Sequence, residues 1–204
     1  ILDDEDRHIS PADFLSAAER YQLMEELDRW VVTHTLQLLE HQATRLAGTR
    51  FAINLSGQSL GSEQFLPFVQ DRIAASNVPP EMLCFEITES VAVANLQRAQ
   101  TFMHTLKRTG CKFSLDDFGS GFCSFSQLKC LPADFVKIDG QFVKGMSRGS
   151  IDRAIVTAMN DVAHSLGRYT VAEYVESPEI LRLLKICGVD RVQGHYISAP
   201  LVSI

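Results

Sequence analysis

The 204-residue sequence predicts an α/β fold in which parallel strands alternate with crossover helices. Two observations support this prediction. Six short, largely apolar segments alternate with longer segments of helical period, as in sheets that are buried on both faces. Each apolar segment also ends at or near a polar side chain. A sheet closed into a barrel and an open, doubly wound sheet both fit this order.

The composition indicates one globular domain with a sizeable core. Hydrophobic residues make up 46% and charged residues 22%, which is ordinary for a soluble protein. The net charge of -6 argues against duplex DNA or an anionic membrane as a partner. No apolar run reaches the roughly 20 residues of a membrane-spanning helix. The five cysteines lack close metal-ligand spacing, so reduced thiols in the cytoplasm are the simplest interpretation.

The first third of the chain reads as a helix, a strand and a second helix. Ser10 and Pro11 suit a helix start, and an apolar helical pattern continues from there to Leu38. Gly48 breaks this pattern, and a short strand with a polar tip follows over 51–54. We expect a loop over 56–59 and a helix over 65–73, before Pro79 and Pro80.

The rest of the chain repeats the strand-and-helix unit. Strands are predicted over 82–87, 111–116, 134–139, 169–173 and 189–194. Helices are predicted between them over 96–107, 125–128, 152–166 and 178–185. Glycines after three of these helices, at 110, 167 and 188, are typical of helix ends.

The segment from Cys111 to Gly121 carries the strongest local signal. Its apolar run ends in two adjacent carboxylates, Asp116 and Asp117, followed by a glycine-rich turn. Neighbouring carboxylates at a strand tip repel each other unless a cation lies between them, and a divalent metal is the usual one. From this segment alone, a solvated turn explains the residues equally well.

The polar residues at all six strand ends extend this metal hypothesis. In chain order they are Asn54, Glu86, Asp116 with Asp117, Lys137 with Asp139, Glu173, and Gln193. In an α/β barrel such ends gather at one face, where active sites are built. Carboxylate and amide oxygens suit Mg²⁺ or Mn²⁺, and no histidine or cysteine at a matching position favours zinc.

Seven motifs, in this order and spacing, resemble the EAL domain family of bacterial cyclic di-GMP phosphodiesterases. They are the segments at 9–14, 54–56, 86–90, 116–121 (Asp-Asp-Phe-Gly-Ser-Gly), 136–139, 172–176 and 192–194. The resemblance covers nearly the whole chain and implies a single domain, 1–204, with a modified TIM-type (β/α) barrel. The Glu-Ala-Leu signature of the family would precede Ile1. We therefore expect a barrel incomplete at its N-terminus, in a fragment of a longer protein.

The resemblance implies a role for each matching residue. Asn54, Glu86 and Asp116 match metal ligands, and Asp117 matches a ligand of a second metal. Glu173, Lys137, Asp117, Glu89 and Glu176 match residues of the catalytic machinery. Among these, Lys137 matches a contact to the attacking water or the phosphate, and Glu89 matches a residue that holds the loop after Asp116. Gln193, Ser56 and Pro200 match residues that line the substrate site.

The implied function is hydrolysis of cyclic di-GMP to the linear dinucleotide, in the full-length protein, with two Mg²⁺ or Mn²⁺ ions. The resemblance also implies a cytoplasmic domain, a homodimer, and attached sensory or diguanylate cyclase domains upstream. Membrane anchoring through segments outside this sequence stays open. Two alternatives remain: a receptor that binds cyclic di-GMP without cleaving it, and a scaffold for protein contacts.

The chain departs from the family pattern at two places within the sequence. Tyr174 stands between Glu173 and Val175, where the family usually has glycine, and its ring could crowd the site or point away. Ser198-Ala199-Pro200 lacks the basic residue common before that proline. Taken singly, several matches also have ordinary explanations: Lys137 as a solvated strand end, Gln193 as a turn residue, and Glu89 and Glu176 as helix-start acids.

Overall fold

The computed structural model describes residues 9–42, 46, 48–121 and 125–200 of the chain. Its centre is a six-stranded sheet in which every neighbouring pair is parallel. The strands are β1 (Phe51–Asn54), β2 (Leu83–Thr88), β3 (Lys112–Phe118), β4 (Phe135–Ile138), β5 (Tyr169–Ala172) and β6 (Arg191–Val192).

The strand order decides between the two topologies that the sequence leaves open. The strands lie side by side in chain order from β1 to β6, without the reversal that defines a doubly wound sheet. The described strands therefore form part of a (β/α) barrel. All their carboxyl ends lie on one rim, where the predicted site residues are located.

Helices connect these strands and cover the outer face of the sheet. They are α1 (Pro11–Arg20), α2 (Met24–Gln42), α3 (Gly57–Gly61), α4 (Phe65–Ala75), α5 (Glu89–Ala94), α6 (Leu96–Lys107), α7 (Phe125–Cys130), α8 (Gly140–Gly145), α9 (Ser150–Ser165) and α10 (Pro178–Ile186), with a 3₁₀ turn over Pro80–Met82. None of the helices in the described part of the chain is long and apolar enough to cross a membrane.

Aromatic side chains show which face of β2 and β3 packs against the helices. Phe85 on β2 and Phe113 on β3 are register partners, both fully buried, with ring centroids 5.7 Å apart. Phe102 of α6 meets both rings edge-on at 6.1 Å. Since side chains alternate across a strand, Glu86 and Ser114 face the opposite way, into the barrel.

Two predictions about the helices are wrong. The single helix predicted up to Leu38 is two helices, because the chain turns at Tyr21–Leu23 with Gln22 at a φ of 60°. The apolar period runs on across this turn, which hides it in the sequence. The loop predicted at Ser56–Ser59 is instead the N-cap and first turn of α3. The helix predicted over 65–73 is confirmed, since α4 runs over Phe65–Ala75 and ends before the two prolines.

Two short helices were also absent from the sequence prediction. α5 and α8 each begin directly after a strand, and the side chains of Thr88 and Asp139 cap them by accepting hydrogen bonds from Val91 N–H and Gln141 N–H. Both helices position residues of the candidate site.

The amino end of the sheet is fixed by a polar network around Asp190. Its carboxylate accepts hydrogen bonds from Thr170 N–H at 2.7 Å and from the Thr170 hydroxyl at 3.1 Å, and pairs with His164 Nε2 at 2.8 Å. Partial burial raises the pKa of Asp190, but these hydrogen-bond partners lower it by more, so the pKa lies below its ordinary value. The network joins α9, β5 and the start of β6.

Cysteine chemistry plays no visible part in the described fold. Four cysteines are free: Cys84, Cys111, Cys130 and Cys187. Burial raises the pKa of the Cys84 thiol to about 12, so it stays protonated and inert. The fifth, Cys123, lies outside the described residues.

Candidate metal centre and catalytic site

Lys137 lies at the centre of the candidate site. Its ammonium contacts three carboxylates: Glu86 Oε2 at 2.9 Å, Asp116 Oδ1 at 3.1 Å and Glu173 Oε1 at 2.9 Å. These residues come from four adjacent strand ends, β2 to β5, and Lys137 is only 5% exposed. The barrel interior thus brings together four residues that are far apart in sequence.

Burial and neighbouring charges shift the pKa values of this cluster in opposite directions. Burial raises the pKa of Glu86 and of Glu173, while Lys137 opposes that rise. For Lys137, burial favours the neutral amine, but the carboxylates of Glu86 and Asp116 outweigh it and raise its pKa. Lys137 is therefore a permanent cation near neutral pH.

Asp117 adds another carboxylate at the rim. Its backbone adopts a φ of 55°, uncommon for a residue other than glycine, and its N–H donates to Asp116 Oδ1 at 2.9 Å. Burial, and then the charge of Asp116, raises the pKa of Asp117. One ligand oxygen from each of Asp116, Asp117 and Glu173 lies within 4.8 Å of the others, so this acidic cluster could hold a metal ion.

The donor set also fits the metals predicted from the sequence. The ligand atoms that Asp116, Asp117 and Glu173 offer are all carboxylate oxygens. Such hard ligands are the ones that Mg²⁺ and Mn²⁺ prefer. Asn54 ends β1 directly opposite Glu86 in the parallel register, so its amide lies at the same rim. Asn54 is exposed in this structure.

Glu89 supports the loop that follows Asp117. It is the first residue of α5, is 1% exposed, and accepts a hydrogen bond from Gly119 N–H at 2.8 Å through Oε2. Gly119 has a φ of 97°, which favours glycine, and a side chain at Gly121 would crowd Glu89 Oε1. The turn that contains Gly119 and Gly121 therefore packs directly against the side chain of Glu89.

Ser56 lies two residues beyond Asn54 and is the N-cap of α3. Its hydroxyl caps that helix by accepting a hydrogen bond from Ser59 N–H at 3.2 Å. Its own N–H donates to Asp28 Oδ2 at 2.8 Å, and the Ser59 hydroxyl donates to the same oxygen at 2.6 Å. Asp28 of α2 is buried, and burial raises its pKa. It thereby fixes the backbone that follows Asn54.

A cleft of about 400 Å³ opens beside Glu173. Four predicted site residues line it: Glu173, Glu176, Gln193 and Pro200. Gln193 is held by its backbone, whose N–H donates to Ala172 O at 2.8 Å and whose carbonyl accepts from Val175 N–H at 3.0 Å. Glu176 is exposed and lies 3.8 Å from Lys144.

Two structurally prominent residues had no assigned role in the sequence prediction. Asp28 lies inside a helical pattern, and only its place among apolar neighbours could have marked it as buried. Tyr174 stood out as a departure from glycine, and the structure shows that it adopts a φ of 53° and lines the same cleft as Glu173.

Comparison with known proteins agrees with the motifs quoted above. The chain matches the family described as EAL domain over residues 1–200. It is 40% identical over 194 residues to cyclic di-GMP phosphodiesterase PdeB of Shewanella oneidensis, a match that covers 95% of this chain and 23% of PdeB. With cyclic di-GMP phosphodiesterase PdeF of Escherichia coli it shares 37% identity over 195 residues, covering 96% of this chain and 26% of PdeF.

The chain thus spans about a quarter of the length of these curated relatives. Among solved structures, it superposes on the FimX EAL domain from Pseudomonas aeruginosa bound to c-di-GMP with a TM-score of 0.90 and 30% identity. That match covers 98% of this chain and 80% of the other. Motifs, fold and family match agree, and the chain belongs to the EAL domain family.

Proposed function

We propose that this domain hydrolyses one phosphodiester bond of cyclic di-GMP, with Mg²⁺ or Mn²⁺, to give the linear dinucleotide. The main support is the carboxylate cluster of Glu86, Asp116 and Glu173 around Lys137 at the carboxyl rim. Further support comes from the curated relatives PdeB and PdeF, which are named cyclic di-GMP phosphodiesterases.

The metal would be held by oxygens at the strand ends. We assign Asn54, Glu86 and Asp116 to one ion, and Asp117 to a second. Bound there, these ions would supply Lewis-acid polarisation of the phosphate and would lower the pKa of the attacking water.

Lys137 and Glu173 are the groups of this chain that we place against the reacting atoms. Because its pKa is raised, Lys137 stays charged and offsets negative charge that develops on the phosphate. The raised pKa of Glu173 brings its carboxylate closer to the range in which it can accept a proton from the attacking water. The two side chains are 2.9 Å apart.

The remaining site residues position the loop and the substrate. Glu89 holds the loop of Asp117 through Gly119 N–H. Glu176, Gln193 and Pro200 line the cleft beside Glu173. We place one nucleotide half of the substrate in this cleft. Ser56 lies at the β1 end of the same rim.

Binding without cleavage is the second candidate function. One observation favours it: in this structure the three carboxylates already share the ammonium of Lys137, so the cluster is partly neutralised by the chain itself. A receptor of this kind would bind cyclic di-GMP and release no linear product.

The wider setting of the domain is also part of the proposal. We infer a cytoplasmic domain, 1–204, that works as a homodimer within a longer protein carrying sensory or diguanylate cyclase segments upstream. Analytical ultracentrifugation of the full-length protein tests the dimer directly.

The decisive experiment is a hydrolysis assay on the full-length protein with Mg²⁺ or Mn²⁺, with product analysis by chromatography. Asp116→Asn should lower kcat by at least about 100-fold, because it removes a charged ligand, while thermal unfolding stays near the wild-type temperature. Asp161→Asn, an exposed site on α9, is the matched control. Full activity in Asp116→Asn would exclude this site, and binding without product in the wild type would favour the receptor.

A further inference from the structure

Tyr174 has a geometry that the proposed chemistry does not explain. It is a tyrosine with a φ of 53°, in the left-handed region that residues with a side chain rarely adopt. Backbone strain of this kind persists only where the surrounding structure imposes it, and it clusters at functional sites. Tyr174 directly follows Glu173, so this strain lies beside the reacting centre.

One side of the Tyr174 ring is covered by α8. The ring lies so close to Gly140 that any side chain at that position would overlap it. The ammonium of Lys144 lies 4.1 Å from the ring centroid. Gly140 and Lys144 are four residues apart and therefore lie on the same face of α8. The helix thus supports the ring and fixes its orientation.

The other side of the ring is open. Tyr174 is 53% exposed, although it is held by α8, and it lines the cleft of about 400 Å³ together with Glu173, Gln193 and Pro200. The position of the ring answers the question raised by the sequence: it leans onto α8 and does not enter the Lys137 cluster. A rigid aromatic face, open on one side and next to the catalytic carboxylate, is the geometry of a base-stacking platform.

We propose that the open face of Tyr174 stacks on one guanine base of the substrate and fixes that nucleotide beside Glu173. This inference rests on the proposed function for the identity of the ligand. Lys144, behind the ring, lies 3.8 Å from Glu176 of the same cleft and offsets part of the negative charge that an anionic dinucleotide meets there.

The test compares three substitutions in the full-length protein, measured by steady-state hydrolysis of cyclic di-GMP with Mg²⁺. Tyr174→Leu removes the aromatic face and should raise KM about tenfold with kcat within about twofold, because stacking acts on binding. Tyr174→Phe keeps the face and should stay within about twofold of wild type. Tyr174→Gly should show the same KM increase, and glycine adopts a φ of 53° without strain, so folding is retained.

Tyr21→Leu is the matched control, since Tyr21 is an exposed tyrosine at the end of α1 and away from the cleft-lining residues. The ultraviolet absorbance decrease of guanine on binding should also be smaller in Tyr174→Leu than in wild type. An unchanged KM in both Tyr174→Leu and Tyr174→Gly, or a fall in kcat alone, would overturn the proposed stacking role of Tyr174. Absence of both binding and hydrolysis in the wild type would instead overturn the proposed function.

Discussion

At the scale of single residues, Lys137 determines the electrostatics of the site. Glu86, Asp116 and Glu173 share its one ammonium, so the cluster has an excess of carboxylates over cations. Such an excess, on oxygen ligands only, attracts a divalent cation. The same ammonium keeps the three carboxylates from repelling one another when no other cation is near.

Lys137→Met should therefore be strongly destabilising. It leaves three mostly buried carboxylates without their counter-charge, and we expect a loss of about 3–5 kcal/mol at pH 7. Burial already raises the pKa of Glu86 and Glu173, and the substitution removes the charge that opposes this rise. Protonation relieves the repulsion, so the loss should be smaller at pH 5 than at pH 7.

Urea unfolding of wild type and variant at both pH values measures this difference. Lys185→Met, at an exposed position of α10, is the control and should change stability by less than about 0.5 kcal/mol. Added Mg²⁺ should restore part of the stability of Lys137→Met. A variant as stable as wild type at pH 7 would contradict the central role given to Lys137.

At the scale of elements, short helices after the strands hold the site residues in place. α5 starts with Glu89, which fixes the loop after β3 through Gly119 N–H. α8 starts after Asp139 and supports the ring of Tyr174. Each helix thus anchors a segment from another strand, and the rim of the barrel is shaped by elements of only six residues.

Glu89→Ala should loosen the loop of Asp117 and weaken the second proposed metal site. We expect a higher Mg²⁺ concentration for half-maximal activity, by about tenfold, because one hydrogen bond to a charged acceptor is lost. Binding of cyclic di-GMP should change much less.

Glu89→Gln is the matched control, since its amide oxygen can still accept from Gly119 N–H. Metal titration of activity, beside calorimetric binding of cyclic di-GMP, separates the two effects. Equal losses of metal response and ligand binding would argue against a loop-holding role.

The sequence predicted the strands and the tip residues because both follow local rules. β1 lies where the short apolar run predicted it, and α6 begins and ends at the predicted residues. The ion pairs of Lys137 could not be derived in this way. They depend on the register that brings β2, β3, β4 and β5 side by side, which no local pattern specifies.

The errors have physical causes that individual residues show. The turn at Gln22 interrupts a helix without any proline or glycine, so no breaker residue marks it. α5 and α8 are too short for a periodic signal, although Thr88 and Asp139 are good N-cap residues and could have revealed them. Tyr174 was noticed as unusual, but its orientation depends on Gly140, which is distant in sequence.

At the scale of the whole molecule, the two ends of the parallel sheet have different tasks. The carboxyl rim carries the acidic cluster, whereas the amino end carries the network of Asp190, Thr170 and His164. In (β/α) barrels, active-site residues lie at the carboxyl ends of the strands, whereas residues at the amino ends contribute to stability. Because the sheet lies between the two ends, we expect a substitution at one end to leave the other end unchanged.

Asp190→Ala should thus lower stability and leave kcat unchanged. The loss should be about 1–3 kcal/mol at pH 7, because Thr170 N–H loses its acceptor in a partly buried position. The folded pKa of Asp190 is lowered, so its contribution is present above the unfolded value of about 3.9 and disappears as pH falls through the folded value.

Urea unfolding at pH 7 and pH 3, with hydrolysis rates at pH 7, checks both halves of this expectation. The difference between wild type and Asp190→Ala should shrink at pH 3. Asp161→Ala, on the exposed side of α9, serves as the control. A kcat that falls in parallel with stability would show that the two ends are coupled.

The ammonium of Lys137 has a consequence for folding in the absence of metal. A chain that carries its own cation inside its acidic cluster can complete folding before any divalent ion arrives. On the function proposed above, divalent metal would then be required for turnover but not for folding, although its binding would add some stability. If that proposal holds, the domain persists in its folded form where divalent metal is scarce, and hydrolysis begins once metal is supplied.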